Sequence, residues 1–190
     1  MTTVTTERLV LRPFTSADAE AHARLYDDPE VTRWLGDGPW LGEAARARSR
    51  KTLERFAEGW AEHGWGVWAV TDRAGGEVIG QCGLKPLVVD PGAAPEVEVL
   101  YALDRRHWGR GLASEAAGAA LAHGFGPLAL PRIIAVARPD NQPSRAVLEK
   151  LGLAHERDVT LAGIPAVYYA LNRDTYLARA RGAVMRGRGA

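Results

Sequence analysis

Cysteine is almost absent from this chain of 190 residues. Cys82 stands alone, which excludes an internal disulfide and a thiolate metal cluster. The five histidines, His22, His63, His107, His123 and His155, show none of the paired spacings of metal sites, so no metal is expected. An excess of one charge is also lacking. The 24 Lys and Arg nearly cancel the 23 Asp and Glu, for a net charge of +1. Such a balance provides no long-range field to gather nucleic acid or an anionic membrane. Apolar runs stop far short of the ~20 residues of a membrane span. Residues 1–10 carry Glu7 and Arg8 where a signal segment would have an apolar core. The expectation is a cytoplasmic protein without a membrane or nucleic-acid partner.

What remains is an ordinary globular composition, 46% apolar and 25% charged. The length suits one domain, expected over residues 1–181. Residues 182–190, with Arg186 and Arg188, read as a basic, flexible tail. Alternating apolar residues predict strands over 9–14, 66–71, 78–87, 96–103 and 132–136, and a closing hairpin over 154–159 and 164–171. Helical spacing predicts helices over 16–26, 29–35, 43–62, 111–124 and 142–151. In the third, Leu53, Phe56, Ala57 and Trp60 form the stripe expected to face a core. In the fourth the stripe is Ala113, Ala116, Ala117, Ala120, Leu121 and Phe125, small enough to lie close on a sheet. The fold class is α/β (α+β), a mixed sheet with helices on both faces.

The chemistry concentrates where the strand 96–103 ends and the helix at 111 begins. Helix-start N–H groups lack intrahelical partners, and the helix dipole adds positive charge there. Together they form an anion site. Gly109 and Gly111 clear side chains from its approach, and Arg105, Arg106 and Arg110 surround it. A Walker loop is excluded because Leu112 stands where its Lys belongs. A dinucleotide fingerprint fits poorly, since the loop lies past mid-chain and Ser114 takes its third small position. The residues alone therefore indicate either a phosphate-bearing ligand or a helix start with glycine in a tight turn.

The pattern Arg106-x-x-Gly109-x-Gly111, followed by Ala113, Glu115 and Ala116, resembles the pyrophosphate loop of GNAT acetyltransferases. Asn141-Gln-Pro-Ser144 with Val147-Leu-Glu-Lys-Leu-Gly152 resembles that family's later helix. The opening Thr6-Glu-Arg-Leu-Val-Leu-Arg-Pro13 and the closing Val167-Tyr-Tyr-Ala-Leu-Asn-Arg173 are similar to the branch of ribosomal-protein N-terminal acetyltransferases. The resemblance implies a mostly antiparallel sheet of about seven strands, splayed between 96–103 and 132–136. Acetyl-coenzyme A (acetyl-CoA) would lie in the splay as cosubstrate. It would be held by Leu100, Ala102, Leu103, Arg106, His107, Gly109, Arg110, Gly111, Leu112, Ala113, Asn141 and Ser144.

The implied reaction moves an acetyl group to a primary amine, a protein N-terminus or a small molecule, in a ternary complex. A non-catalytic acyl-CoA sensor is the rival reading. Glu98 is the candidate base and touches the acceptor, with apolar neighbours that could raise its pKa. Glu96, on the same strand face, is the fallback. The oxyanion donor would be an amide near Leu100. Leu148 replaces the family's usual tyrosine acid, which leaves Ser144 as candidate proton donor or merely a helix-start residue. Tyr101 and Cys82 read as core. Trp34 and Trp40, with Asp37 and Glu43 nearby, suit a cationic amine, and residues 36–42 could form a lid. A homodimer is carried only as the commonest assembly of soluble chains.

Overall fold

The computed structural model describes residues 1–36 and 38–187, with side chains up to residue 182. The strands are β1 (Val4–Thr5), β2 (Leu9–Arg12), β3 (Val67–Asp72), β4 (Val78–Leu87), β5 (Glu96–Leu103), β6 (Arg132–Ala137), β7 (Ala154–Leu161) and β8 (Ile164–Asn172). The helices are α1 (Ala19–Tyr26), α2 (Pro29–Thr32), α3 (Gly42–His63), α4 (Leu112–Phe125), α5 (Gln142–Leu151) and α6 (Arg173–Gly187). One sheet runs in the order β1-β2-β3-β4-β5-β6-β8-β7. Its neighbours are antiparallel except β5 and β6, which are parallel and meet in register only at Glu98 and Ile134.

The expected sheet with helices on both faces is therefore present. It has eight strands rather than about seven, because β1 has two residues, too few to display an alternation. α6 was not expected, and its aromatic anchor is Tyr176, whose ring lies 4.8 Å from that of Phe125. The segment 182–190, read as a tail, begins inside α6, and residues 188–190 lie outside the described residues.

α4 explains itself through its small side chains. Ala116, Ala117 and Ala120 are fully buried beside Leu121 and Phe125, so the helix lies close against β2, β4, β5 and β6. Burying each large apolar side chain there contributes about 1.5–3 kcal/mol. α5 covers β6 on the same side and is capped by Asn141, whose Oδ1 accepts from the Ser144 amide at 3.2 Å. The opposite face is covered by α1, on which α3 packs. The α3 stripe is only partly as expected: Phe56 and Trp60 are buried, Leu53 is half-buried, and Ala57 faces solvent. No helix of the described residues is long and apolar enough to cross a membrane.

Candidate active site

Two strands that touch at one residue pair must diverge beyond it. The divergence of β5 from β6 opens a cavity of about 1030 Å³, at the upper end of the 300–1,000 Å³ usual for small-molecule sites. One end reaches the turn before α4. The middle follows β5 between β6 and α5. The other end lies under α2 and α3.

At the first end, Gly109 and Gly111 both adopt positive φ, 71° and 75°, a region that disfavours a Cβ. No atom of the described residues comes within 4 Å of where a Gly109 Cβ would stand. Of the loop amides of His107, Gly109, Arg110, Gly111 and Leu112, that of His107 already donates to the Asp104 carbonyl at 2.9 Å. Those of Gly109, Arg110, Gly111 and Leu112 have no partner among the described residues, and the same holds for Ala113 and Ser114. Gly111 caps α4 without any side-chain cap, which leaves the helix-start donors to a ligand. A diphosphate therefore fits the loop.

The arginines are placed differently. Arg106 gives its guanidinium to Asp104 at 2.7 Å and Glu77 at 3.1 Å, and its pKa lies above the ordinary value through the Asp104 bond. Arg110 meets His107 Nδ1 at 3.3 Å. Neither side chain lines the cavity, whereas His107, Gly109, Gly111, Leu112 and Ala113 do. The loop is instead braced from the turn between β1 and β2. Glu115 accepts from Thr6 Oγ1 at 2.6 Å and from the Arg8 amide at 2.8 Å, and Arg8 Nη1 donates to the Arg110 carbonyl at 2.9 Å.

Along β5, hydrogen bonding alternates sides. Asp104 N donates to Ile79 O of β4, so Leu100 and Ala102 also turn their backbone groups to β4. They reach the cavity only by their side chains. Val99, Tyr101 and Leu103 point their backbone groups toward β6. The Leu103 carbonyl is taken by Trp108 Nε1 at 2.8 Å. Past the single contact with β6, the amide near Leu100 that faces the gap is that of Tyr101.

Glu98 is 6% exposed and lines the cavity. Lys85 Nζ lies 2.7 Å from its Oε2, yet outside hydrogen-bonding directions, and that buried oxygen has no hydrogen-bond partner. Glu96 does not line the cavity. It accepts from Tyr168 at 2.8 Å and sits 3.7 Å from Arg132. Ser144 is bonded by Tyr101, whose hydroxyl lies 2.9 Å from Ser144 Oγ and donates to the Ser144 carbonyl at 3.1 Å. Burial raises the Tyr101 pKa well above its ordinary value, so the phenol stays protonated. The helix cap is Asn141 rather than Ser144. Leu148 is buried in the core, and Cys82 is buried with its thiol pKa pushed up by burial.

Lys85 and Tyr101 are the functional neighbours that sequence reasoning missed. Lys85 could have been found by pairing β4 with β5 about the loop 88–95, which sets it opposite Glu98. The tyrosine hydroxyl carried no comparable signal, because its partner is 43 residues away.

At the other end, Trp34 and Trp40 line the cavity, but each already holds a cation. Arg33 lies 4.5 Å over Trp34 and Arg48 lies 4.8 Å over Trp40. Tyr26 stacks on Trp40, with centroids 5.9 Å apart. Glu43 is exposed beside Arg50, and Asp37 lies outside the described residues. Gly36, in the segment read as a lid, accepts from Arg138 Nη2 at 2.9 Å, which ties it to the end of β6.

Beneath this end lies a buried polar network. His22 Nδ1 meets Ser49 Oγ at 2.7 Å, and His22 Nε2 meets Gln81 Oε1 at 2.8 Å. Burial lowers the His22 pKa to about 4, so the ring is neutral and carries one proton. That proton belongs on Nε2, donating to Gln81, while Ser49 donates to Nδ1. The other tautomer would leave the buried Ser49 hydroxyl without an acceptor. The Gln81 NH₂ group is then left with no protein partner, at the wall of the cavity.

A splayed sheet with unpartnered amides at a helix start and a buried carboxylate facing the gap defines an acyl-transfer enzyme fed by a diphosphate-bearing donor. The comparisons agree. The acetyltransferase (GNAT) domain matches residues 8–154, and the chain belongs to that family. It is an acetyl-CoA-dependent N-acetyltransferase. It is 36% identical over 157 residues to the N-acetyltransferase p20 of Bacillus licheniformis, covering 82% of this chain and 84% of that one. An acetyltransferase of Agrobacterium tumefaciens superposes with a TM-score of 0.78 at 28% identity, covering 90% and 95% of the two chains. RimL, a ribosomal L7/L12 alpha-N-protein acetyltransferase solved with coenzyme A, shares the fold. Its TM-score is 0.72 at 20% identity, with 92% and 99% of the chains covered.

Proposed function

We propose that the chain acetylates a primary amine by direct attack in a ternary complex, with Glu98 as base and Ser144 as proton donor. The observation that carries this is the run of unpartnered amides from Gly109 to Ser114, opening on a cavity whose interior presents Glu98. Acetyl-CoA supplies the activated acetyl group. The loop amides hold its diphosphate and orient it along β5. Glu98 takes a proton from the entering ammonium, directly or through one water. The freed nitrogen attacks the thioester carbon, and the carbonyl oxygen becomes an oxyanion. The Tyr101 amide donates to it. The C–S bond breaks as Ser144 Oγ–H protonates the leaving sulfur, and the nitrogen gives its second proton to water in the cavity as the amide forms. Water reprotonates Ser144 Oγ, which Tyr101 holds in place through its 2.9 Å contact.

The test is calorimetry with coenzyme A, followed by an amine panel with acetyl-CoA in which free thiol is measured. Micromolar binding and amine-dependent thiol release are expected. A well-folded protein that binds no coenzyme A would end the proposal. Binding without turnover on any amine would favour a sensor.

A further inference from the structure

The acceptor end of the cavity is more cationic than a site for a polyamine would be. It lies on the sheet face covered by α1 and α3, while α4, the helix that the diphosphate loop starts, packs on the other. Among the described residues, Glu98 is the one carboxylate lining the cavity, and Lys85 already neutralises it. Against it stand Arg55 and Arg138. Arg138 is bound to a carbonyl oxygen that carries no charge. Arg55 has no ion-pair or hydrogen-bond partner among the described residues.

The position of Arg55 suits a small ligand that also reaches Glu98. Ser49 stands at the level of Gln81, to which it is linked through His22. The end of α3 meets the sheet near Gly66, whose carbonyl accepts from Leu84. Arg55, six residues past Ser49, is about 9 Å further along the helix axis. It therefore falls between the levels of Gln81 and Lys85 on β4, and Lys85 is paired with Glu98. Gln81 adds a neutral donor deeper in the same wall. Both tryptophans that could cradle a cation already face guanidinium groups of this chain.

We infer that the acceptor is an amine carrying an anionic group, a carboxylate or a phosphate, with Arg55 as the residue that selects it. This rests on the acetyl-transfer reading above. The ammonium end goes to Glu98 and the anionic end lies under α3. A polycation such as spermidine would meet like charge there.

Matched amines test this: 6-aminohexanoate against hexylamine, and O-phosphoethanolamine against ethanolamine, with spermidine as the polycation. The anionic member of at least one pair should have kcat/KM at least tenfold higher, equivalent to about 1.4 kcal/mol. The pair with the larger ratio tells carboxylate from phosphate. Arg55→Glu should bring the ratio to one or below, and Arg55→Lys should keep most of it. Preference for the neutral amines or spermidine, or a ratio untouched by Arg55→Glu, overturns the inference while leaving acetyl transfer standing. If coenzyme A binds but no amine turns over, 6-aminohexanoate and hexylamine are titrated into the coenzyme A-saturated protein. Tighter binding of the anion supports the inference, and equal affinity overturns it. Failure to bind coenzyme A strikes the acetyl-transfer reading itself, and this inference with it.

Discussion

Replacing Glu98 by glutamine keeps shape and volume but removes the ability to take a proton. General-base catalysis contributes about 10²–10⁴ in rate, so kcat should fall by that factor, about 2.7–5.4 kcal/mol of barrier at 1.36 kcal/mol per tenfold. The same change leaves the Lys85 ammonium without its counter-charge at 2.7 Å. Breaking a fully buried pair costs about 3–5 kcal/mol, but Lys85 is 38% exposed and water screens it. A loss of about 1–2 kcal/mol follows, or about 2–8 °C in Tm for a chain of this size. Affinity for coenzyme A should not change, because the loop amides hold it. Thiol release measures kcat, calorimetry the affinity, and thermal unfolding the stability. The rate deficit should shrink as pH approaches the acceptor amine's own pKa, where free amine needs no base. A Glu98→Gln enzyme within about threefold of the parent kcat, or one that loses coenzyme A binding as well, would refute Glu98 as the base.

Three further outcomes are expected. His22 has its pKa lowered to about 4 by burial, against 6.5 when unfolded. Above pH 6.5 both states are neutral and the group contributes nothing to the pH dependence. Between pH 6.5 and 4 the unfolded chain takes a proton that the folded chain refuses, so stability should fall by up to about 3 kcal/mol. Denaturant titrations of the parent and His22→Gln across this range should show the difference, and identical slopes would contradict it. Gly109→Ala forces a Cβ at φ 71°, costing about 1–2 kcal/mol in stability. Because the space beyond is open to a ligand, calorimetry should show a loss of coenzyme A affinity of tenfold or more. Unchanged affinity would mean that the diphosphate lies elsewhere. Tyr101→Phe and Ser144→Ala should each lower kcat with little effect on coenzyme A affinity, and the double variant should be no worse than the poorer single one. Additive losses would show that the two hydroxyls do not act together.

The glycine-bearing turn before α4, the order of the strands and helices from β2 to β8, and the place of Glu98 on its strand could be read from the sequence alone. Those features are local. A helix start after a strand presents free amides whatever surrounds it, and side-chain alternation sets Glu98 on one face of its strand. What each side chain meets was decided by tertiary structure. Lys85 reaches Glu98 through the register of β4 on β5, and Tyr101 reaches Ser144 because α5 packs over the gap. The same packing changed the reading of the tryptophans. Trp34 and Trp40 suggested a cation cage as isolated aromatics, but their faces are taken by Arg33 and Arg48. Such contacts depend on how far separate elements slide and turn against one another. That follows from burial summed over the whole core, and no short stretch of sequence encodes it.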